Sequence, residues 1–265
     1  MDQKYKEQQL KKFALSVIDS PQYKNEISHI LSKTKLSKKE LISTYLHYDM
    51  DIFAYENEIY DSLAMRAVLH LHNLLEESWH QDRQLAILNM LKNLNIKTVV
   101  DMGFGVPTKY VRDFILNKRN IKLTLVDFSD SAFEFSKLLL SYLDSSWGNI
   151  VSFKKLDMNS HEFVGNYDVY IFQDSVEHVR NCTQYLAKTV QFSNKNSIFI
   201  LSIPIGPKVP VHTMSWKSIK EAKDWLNSCG LKVNKSKLVY PNPKVDLFAE
   251  QLNYKFYNYI VECRK

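Results

Sequence analysis

Apolar residues recur at helical spacing throughout residues 1–95, and no strand-like alternation interrupts them. Leu10, Ala14 and Val17, for example, fall on one face of a helix. Farther along, Ser37 and Glu40 have the spacing of a capping box, in which each side chain accepts a hydrogen bond from the other residue's backbone N–H. The pattern therefore predicts an all-helical N-terminal region.

After Lys97 the pattern changes to short apolar and β-branched runs separated by helical stretches. The runs cover residues 98–102, 121–126, 150–156, 167–172, 197–203, 231–238 and 254–261. Strands that alternate with helices predict a doubly wound α/β fold with a mostly parallel sheet. No helix pattern separates the last two of these seven runs, so we expect at least one antiparallel pairing between the closing strands. The predicted domains are a helical subdomain, residues 1–95, and a sheet domain, residues 96–265.

The turn after the first predicted strand contains two of the chain's six glycines, Gly103 and Gly105. Glycines let the backbone approach a ligand closely, and the helix that follows offers free N–H groups. Open α/β sheets bind their ligands at the carboxyl ends of the strands. The turn is therefore a candidate binding site.

An acidic residue stands at the end of each of the first three strands: Asp101, Asp127 and Asp157. A carboxylate at the second position can accept both hydroxyls of a ribose, and Asp157 is placed to reach an amino group of a purine. Each acid alone is typical of a turn or a helix cap. Three of them at the ends of successive strands are harder to explain as turn or cap residues alone.

Residues 95–265 resemble the class I, Rossmann-like S-adenosylmethionine-dependent methyltransferases in the order and spacing of five segments. These are VVDMGFG (99–105), LVDFSDSAF (125–133), LDMN (156–159), YDVYIFQDSVEHV (167–179) and SIFILSIP (197–204). The resemblance implies a seven-stranded, mostly parallel sheet with an antiparallel last strand, and S-adenosylmethionine as the cofactor. It assigns the methionine part to Asp101, Gly103 and Gly105, the ribose to Asp127, the adenine to Phe128, Asp157 and Met158, and the sulfonium to the neighbourhood of Gln173. The superfamily often has a third glycine where this chain has Pro107, a residue that suits the first turn of a helix.

A nicotinamide-dependent dehydrogenase is the competing interpretation of the glycine turn. The dinucleotide fingerprint is G-x-G-x-x-G, and Thr108 occupies its last position here. Asp101, just ahead of the glycines, would repel a pyrophosphate. Both observations favour the methyltransferase.

Methyl transfer requires alignment of the reacting atoms and, for an OH or NH acceptor, removal of a proton. Glu177 and His178 follow the fourth strand and are the candidate catalytic residues, because imidazole titrates near neutrality. The alternative is that this pair caps the next helix or braces the cofactor loop. With Asp174 and His212 the pair also resembles the metal cluster of two branches of the superfamily, the small-RNA 3′-end 2′-O-methyltransferases and some ubiquinone-pathway O-methyltransferases. Asp174 replaces the glutamate usual there, and the set suits Mg or Mn only loosely, so we expect no metal.

Tyrosine, histidine and tryptophan are frequent in the helical region. In this superfamily an N-terminal helical addition often forms a lid over the acceptor pocket, and an aromatic lid favours a small aromatic or cationic acceptor. The candidate pocket residues are Tyr48, Tyr55, Tyr60 and His212. The alternative is that tyrosines at helical spacing belong to the core.

Composition and charge narrow the setting. Hydrophobic residues make up 45% of the chain and charged residues 24%, as in globular proteins. Three cysteines without a CxxC pair fit a reducing compartment, and no apolar run could span a bilayer, so we expect a cytoplasmic protein without a membrane partner.

The net charge of +6 is concentrated at the two ends of the chain. Residues 1–44 hold nine lysines and five acids, and residues 207–265 hold eleven basic residues and five acids. Basic ends suit either RNA or simply solvated helix faces. We therefore predict N- or O-methylation of a small molecule, with an RNA methyltransferase and a non-catalytic binding module as the alternatives.

Overall fold

The computed structural model describes residues 2–50, 61–92, 94–163, 165–209, 211–247, 250, 253 and 255–265. Its N-terminal part contains the helices α1 (Gln3–Ile18), α2 (Lys24–Thr34), α3 (Lys38–Met50), α4 (Leu63–Leu74) and α5 (Trp79–Lys92). The predicted capping box is confirmed at the start of α3. The N–H of Glu40 donates to Ser37 Oγ at 3.1 Å, and the N–H of Ser37 donates to the Glu40 carboxylate at 2.7 Å.

Strands and helices alternate through the rest of the chain. They are β1 (Thr98–Met102), α6 (Lys109–Leu116), β2 (Lys122–Asp127), α7 (Asp130–Leu143), β3 (Val151–Lys155), β4 (Val169–Gln173), α8 (Cys182–Phe192), β5 (Ile198–Ile205), α9 (Ile219–Ser228), β6 (Lys232–Val239) and β7 (Tyr257–Arg264). Single 3-10 turns cover Trp147–Asn149 and Val176–His178.

The strands form one seven-stranded sheet in the order β3-β2-β1-β4-β5-β7-β6. Strands β1 to β5 pair in parallel, and β7 runs antiparallel to both β5 and β6. The predicted fold class is thus confirmed, including the reversed last strand. Every residue of β5 is buried, because this strand lies inside the sheet with layers on both faces.

Helices cover both faces of the sheet. Helices α5, α6 and α7 share one apolar cluster with β1, which includes Leu91, Val99 and Phe114. Helices α8 and α9 pack on the opposite face through Leu186 and Leu226. Helix α5 precedes residue 95 yet packs on the sheet, and the domain boundary at that residue stays a prediction.

Helices α1 to α4 form a third apolar cluster around residues such as Leu10, Tyr45 and Leu71. Phe135 and Leu139 of α7 belong to the same cluster, so this helical layer rests on α7 rather than on the sheet itself. Within the described residues, no helix is both long enough and apolar enough to cross a membrane.

Candidate active site at the carboxyl edge of the sheet

The chain order reverses between β1 and β4, which pair side by side in the middle of the sheet. A doubly wound sheet binds its ligand in the crevice at such a switch point, beyond the carboxyl ends of the strands. The glycine turn leaves β1 at this edge, and the segment after β4 leaves it beside the turn. Most of the predicted site residues lie on these two connections and on the loops after β2 and β3.

Gly103 is the tightest point of the turn. Its φ of +74° is in the left-handed region, and a Cβ at this position would lie 2.7 Å from Ser175 Cβ and 3.2 Å from Met158 Cε. Only glycine fits there without displacing the segment after β4. Gly105 also has a positive φ, +61°, so the two predicted glycines are both used for backbone shape.

Asp101 is buried at the end of β1, and the hydroxyl of Tyr110 donates to its Oδ2. Among the described residues its Oδ1 has no hydrogen-bond partner. Burial raises the pKa of Asp101 to about 7, although the Tyr110 hydrogen bond opposes the rise. A buried carboxyl oxygen without a partner is expected where a ligand supplies the missing donor.

Asp127 closes β2 and points its carboxylate at the turn. Its oxygens accept the N–H of Gly105 at 3.0 Å and the N–H of Ser129 at 3.0 Å. Each carboxylate oxygen has a second lone pair, so these bonds leave room for ribose hydroxyls. The neighbouring Phe128 is 58% exposed, which is unusual for a large apolar ring and suits a surface that stacks on a base.

Asp157 is engaged in a local turn after β3. Its carboxylate accepts the N–H of Asn159 at 2.8 Å and the hydroxyl of Ser160 at 2.9 Å. Partial burial would raise the pKa of Asp157, but these bonds hold it below the usual value. Met158 packs beside Gly103, and its contact with the adenine stays a prediction, as does that of Asp157.

Several buried polar atoms without partners lie close together at the end of β4 and in the residues just after it. Gln173 Oε1, Ser175 Oγ and Glu177 Oε2 are buried, and no described residue hydrogen-bonds them. Burial raises the pKa of Glu177 to about 8, and the positive charge of Arg83 opposes this rise. Three such atoms within five residues indicate a surface that is completed by a ligand.

Glu177, His178 and His212 lie close together in the structure. One potential ligand atom from each lies within 4.8 Å of the others. The segment carrying His212 is fixed to this site by Thr213, whose N–H donates to Glu177 O at 2.8 Å and whose hydroxyl donates to Val179 O at 2.7 Å. Asp174 does not join them, because its carboxylate pairs with Arg83.

His178 is exposed, and its Nδ1 lies 3.0 Å from the carbonyl oxygen of Val211. A carbonyl can only accept, so this contact places the ring proton on Nδ1 and leaves the lone pair on Nε2. The ring of His212 stands edge-on to it at 5.0 Å between centroids. The pKa of His212 is lowered to about 3, mainly because the ring is buried and also because His178 and Lys208 lie nearby.

Tyr48 belongs to a row of rings in the helical layer. Its ring centroid is 5.1 Å from that of His72, which also stacks on Tyr45 at 4.7 Å. The row continues through His80 and Trp79. The other two predicted pocket tyrosines, Tyr55 and Tyr60, lie outside the described residues.

Two buried arginines, Arg66 of α4 and Arg83 of α5, also reach this edge, and neither was among the predicted site residues. Arg66 donates to Ser129 Oγ at 2.8 Å and to Ser131 Oγ at 3.0 Å, and Arg83 pairs with Asp174. For Arg83 a signal existed, because it falls at i+4 from Trp79 on the apolar stripe of α5. A charged residue on such a stripe needs a buried partner.

Comparison with solved structures shows what this architecture is similar to. The [4+2]-cyclase SpnF matches with a TM-score of 0.57 at 12% identity, over 72% of this chain and 84% of that one. An O-methyltransferase from a Brevibacillus brevis trans-AT polyketide synthase, solved with S-adenosyl-L-homocysteine, matches with a TM-score of 0.53 at 13% identity, over 73% and 74%. Magnesium protoporphyrin IX methyltransferase from Synechocystis PCC 6803, also with bound S-adenosylhomocysteine, matches with a TM-score of 0.51 at 14% identity, over 84% and 93%.

No protein-family model and no curated protein sequence matches the chain. The likeness is therefore one of structure, and it agrees with the strand order and the reversed β7. The chain has the fold of the class I S-adenosylmethionine-dependent methyltransferases.

Proposed function

We propose that the chain is an S-adenosylmethionine-dependent methyltransferase that methylates a nitrogen or an oxygen of a small molecule. The observation that carries this proposal is the packing of Gly103 against Ser175, beside two buried oxygens, Asp101 Oδ1 and Ser175 Oγ, that no described residue satisfies. A glycine cradle with unmet polar atoms at a switch point is what a bound cofactor requires.

The residues present fit this cofactor in their chemistry. Asp101 Oδ1, which accepts no hydrogen bond from the described residues, suits the ammonium group of the methionine part, and Asp127 suits the two ribose hydroxyls. The exposed ring of Phe128 suits the adenine. When bound, S-adenosylmethionine supplies an activated methyl group.

Glu177 and His178 are our candidates for handling the acceptor's proton. The Nε2 lone pair of His178 can take a proton and pass it to water, because the ring is exposed. Glu177, whose pKa is raised to about 8 by burial, is largely protonated at neutral pH and can donate a hydrogen bond to the acceptor. Tyr48 and His212 stay proposals for the acceptor pocket.

We propose that these residues act without a metal. The cluster of Glu177, His178 and His212 offers a single carboxylate with a raised pKa, and Arg83 occupies the second acid, Asp174. A metal would first have to displace the Glu177 proton. Exhaustive chelation should therefore leave methyl transfer unchanged, and a loss of activity restored by Mn²⁺ would replace this proposal with a metal centre.

The setting we propose is the reducing cytoplasm. All three cysteines, Cys182, Cys229 and Cys263, are buried and free, which supports a reducing compartment.

Titration calorimetry with S-adenosylmethionine tests the proposal, with NAD⁺ as the competing ligand. We expect S-adenosylmethionine to bind with a dissociation constant of about 1 to 100 μM, within the usual range for enzyme substrates, and NAD⁺ to give no heat. Gly103→Ala should abolish binding, because the new Cβ would collide with Ser175. Gly148→Ala is the matched control, since nothing lies within 4 Å of its Cβ position. Preferential binding of NAD⁺ would contradict the proposal.

A further inference from the structure

Asp174 lies in sequence between two residues that carry buried polar atoms without partners, and its own backbone conformation is unusual. Its φ is +46°, in the left-handed region that residues other than glycine seldom adopt. Its neighbours Gln173 and Ser175 each carry a buried polar atom for which the described part of the chain offers no partner. Strained residues persist only where the surrounding structure holds them, and they concentrate at functional sites.

Three elements hold the Asp174 side chain. Arg83 of α5 pairs with Oδ2, while Ser202 of β5 donates to Oδ1 at 2.5 Å and Asn258 of β7 donates to the same oxygen at 2.7 Å. Asn258 also donates to Ser202 Oγ at 2.6 Å. We call these four residues the Asp174 network.

The network is built into the core. Ser202 and Asn258 are completely buried on neighbouring strands, and Arg83 is 5% exposed. The guanidinium of Arg83 lies 4.8 Å from the centre of the Trp79 ring, which fixes its direction along α5. The Asp174 side chain itself is 23% exposed, so it lies where the core meets the carboxyl edge.

The position of Asp174 determines where its neighbours point. The turn at Gly103 approaches Ser175 so closely that a single Cβ would collide, so a small movement of the Asp174 backbone would change the space at the turn. The same bend sets the direction of Gln173 at the end of β4 and the start of the turn that carries Glu177. Asp174 thus links α5 and the two buried strands to the groups facing the crevice.

We propose that Asp174 is a positioning residue, which Arg83, Ser202 and Asn258 hold in a strained conformation so that Ser175 and Gln173 face the cofactor. This inference rests on the proposed function, because it concerns the same binding site. It also explains why Asp174 does not join the cluster of Glu177, His178 and His212, because its carboxylate is bound by Arg83, Ser202 and Asn258.

The test measures binding of S-adenosylhomocysteine by calorimetry, together with thermal unfolding. Asp174→Asn removes the charge opposite Arg83 but tolerates a positive φ, and Asp174→Gly accepts the backbone freely but removes every side-chain contact. We expect both variants to raise the dissociation constant by about tenfold, or 1.4 kcal/mol.

The control is Asp113→Asn, which removes another aspartate–arginine pair; its aspartate is about as buried as Asp174, and its arginine is more exposed than Arg83. Asp113 lies on α6, its side chain is 18% exposed, and its Oδ2 is 3.2 Å from Nε of Arg119. It should lower thermal stability without changing the dissociation constant more than about twofold. If Asp174 had only a structural role, Asp174→Asn and Asp113→Asn would change the dissociation constant to the same small extent.

A double-mutant cycle with Ser175→Ala tests the route of the effect. If Asp174 acts by placing Ser175, the penalties of Asp174→Asn and Ser175→Ala in binding should not add. Additive penalties, or an Asp174→Gly variant that binds as tightly as the unmodified chain, would overturn the inference. If the Asp174 variants fail to fold, Ser202→Ala removes one donor of the network and should weaken binding in the same direction. An unmodified chain that does not bind at all would refute the proposed function instead.

Discussion

Asp101 combines two properties at the end of β1: a pKa raised to about 7 and an oxygen that no described donor reaches. Such a carboxyl group changes protonation within the physiological range. Burial favours its neutral form, and a positively charged ligand group would favour the ionised form. The binding of a ligand that carries an ammonium group should therefore be linked to loss of the Asp101 proton.

This linkage predicts the pH dependence of binding. Below about pH 7 the ligand must first displace the Asp101 proton, so the affinity for S-adenosylhomocysteine should rise between pH 6 and pH 8. Asp101→Asn cannot ionise, and its weaker binding should be flat over the same range. Calorimetry of both proteins at several pH values checks this. Equal slopes for the two proteins would show that Asp101 does not face the ammonium group.

At the scale of the elements, Glu26 holds three helices together. Arg112 of α6 donates to its two oxygens at 2.8 and 2.9 Å, and His70 of α4 approaches at 2.6 Å. Burial alone would raise the pKa of Glu26, but His70 and Arg112 together lower it to about 2. Through these contacts Glu26 connects α2 and α4 of the helical layer to α6, the helix that follows the glycine turn.

Glu26→Gln should cost about 3 kcal/mol of unfolding free energy at pH 7, as expected for a broken buried ion pair. The pKa of Glu26 is lower in the folded state, so its stabilisation is complete above about pH 4.5 and is lost as the pH falls towards 2. Urea unfolding at pH 7 and pH 3 should thus show a difference that shrinks on acidification. Glu134→Gln, on an exposed position of α7, is the control. A difference that is constant with pH would contradict the pairing.

The elements themselves were predictable because they depend on local patterns. The run at residues 98–102 became β1 within the same limits, and the capping box at Ser37 starts α3. The contacts of Arg83 and Glu26 could not be predicted, since they join residues whose proximity depends on how helices cross the sheet. The meeting of Glu177 with His212 was predicted from the resemblance alone.

At the scale of the whole molecule, the N-terminal helices contact both the helices that cover the sheet and the loops at its carboxyl edge. Phe135 and Leu139 join the apolar cluster of α1 to α4, and Arg66 and Arg83 cross to the loops after β2 and β4. The site residues described above are mainly acids, amides, hydroxyls and imidazoles, together with the paired Arg66 and Arg83, and Lys208 lies near His212. The proposed small acceptor needs only such polar groups, whereas a phosphate backbone would need several cations that are not already paired with the protein's own acids.

The most direct measurement is the fate of a tritium-labelled methyl group from S-adenosylmethionine, added with the protein to an extract of the cells that express it. Separation into small molecules, RNA and protein then shows which fraction carries the label. We expect label in the small-molecule fraction with the unmodified chain and with Gly148→Ala, and none with Gly103→Ala. Label in RNA, or no label from a chain that binds the cofactor, would contradict the account.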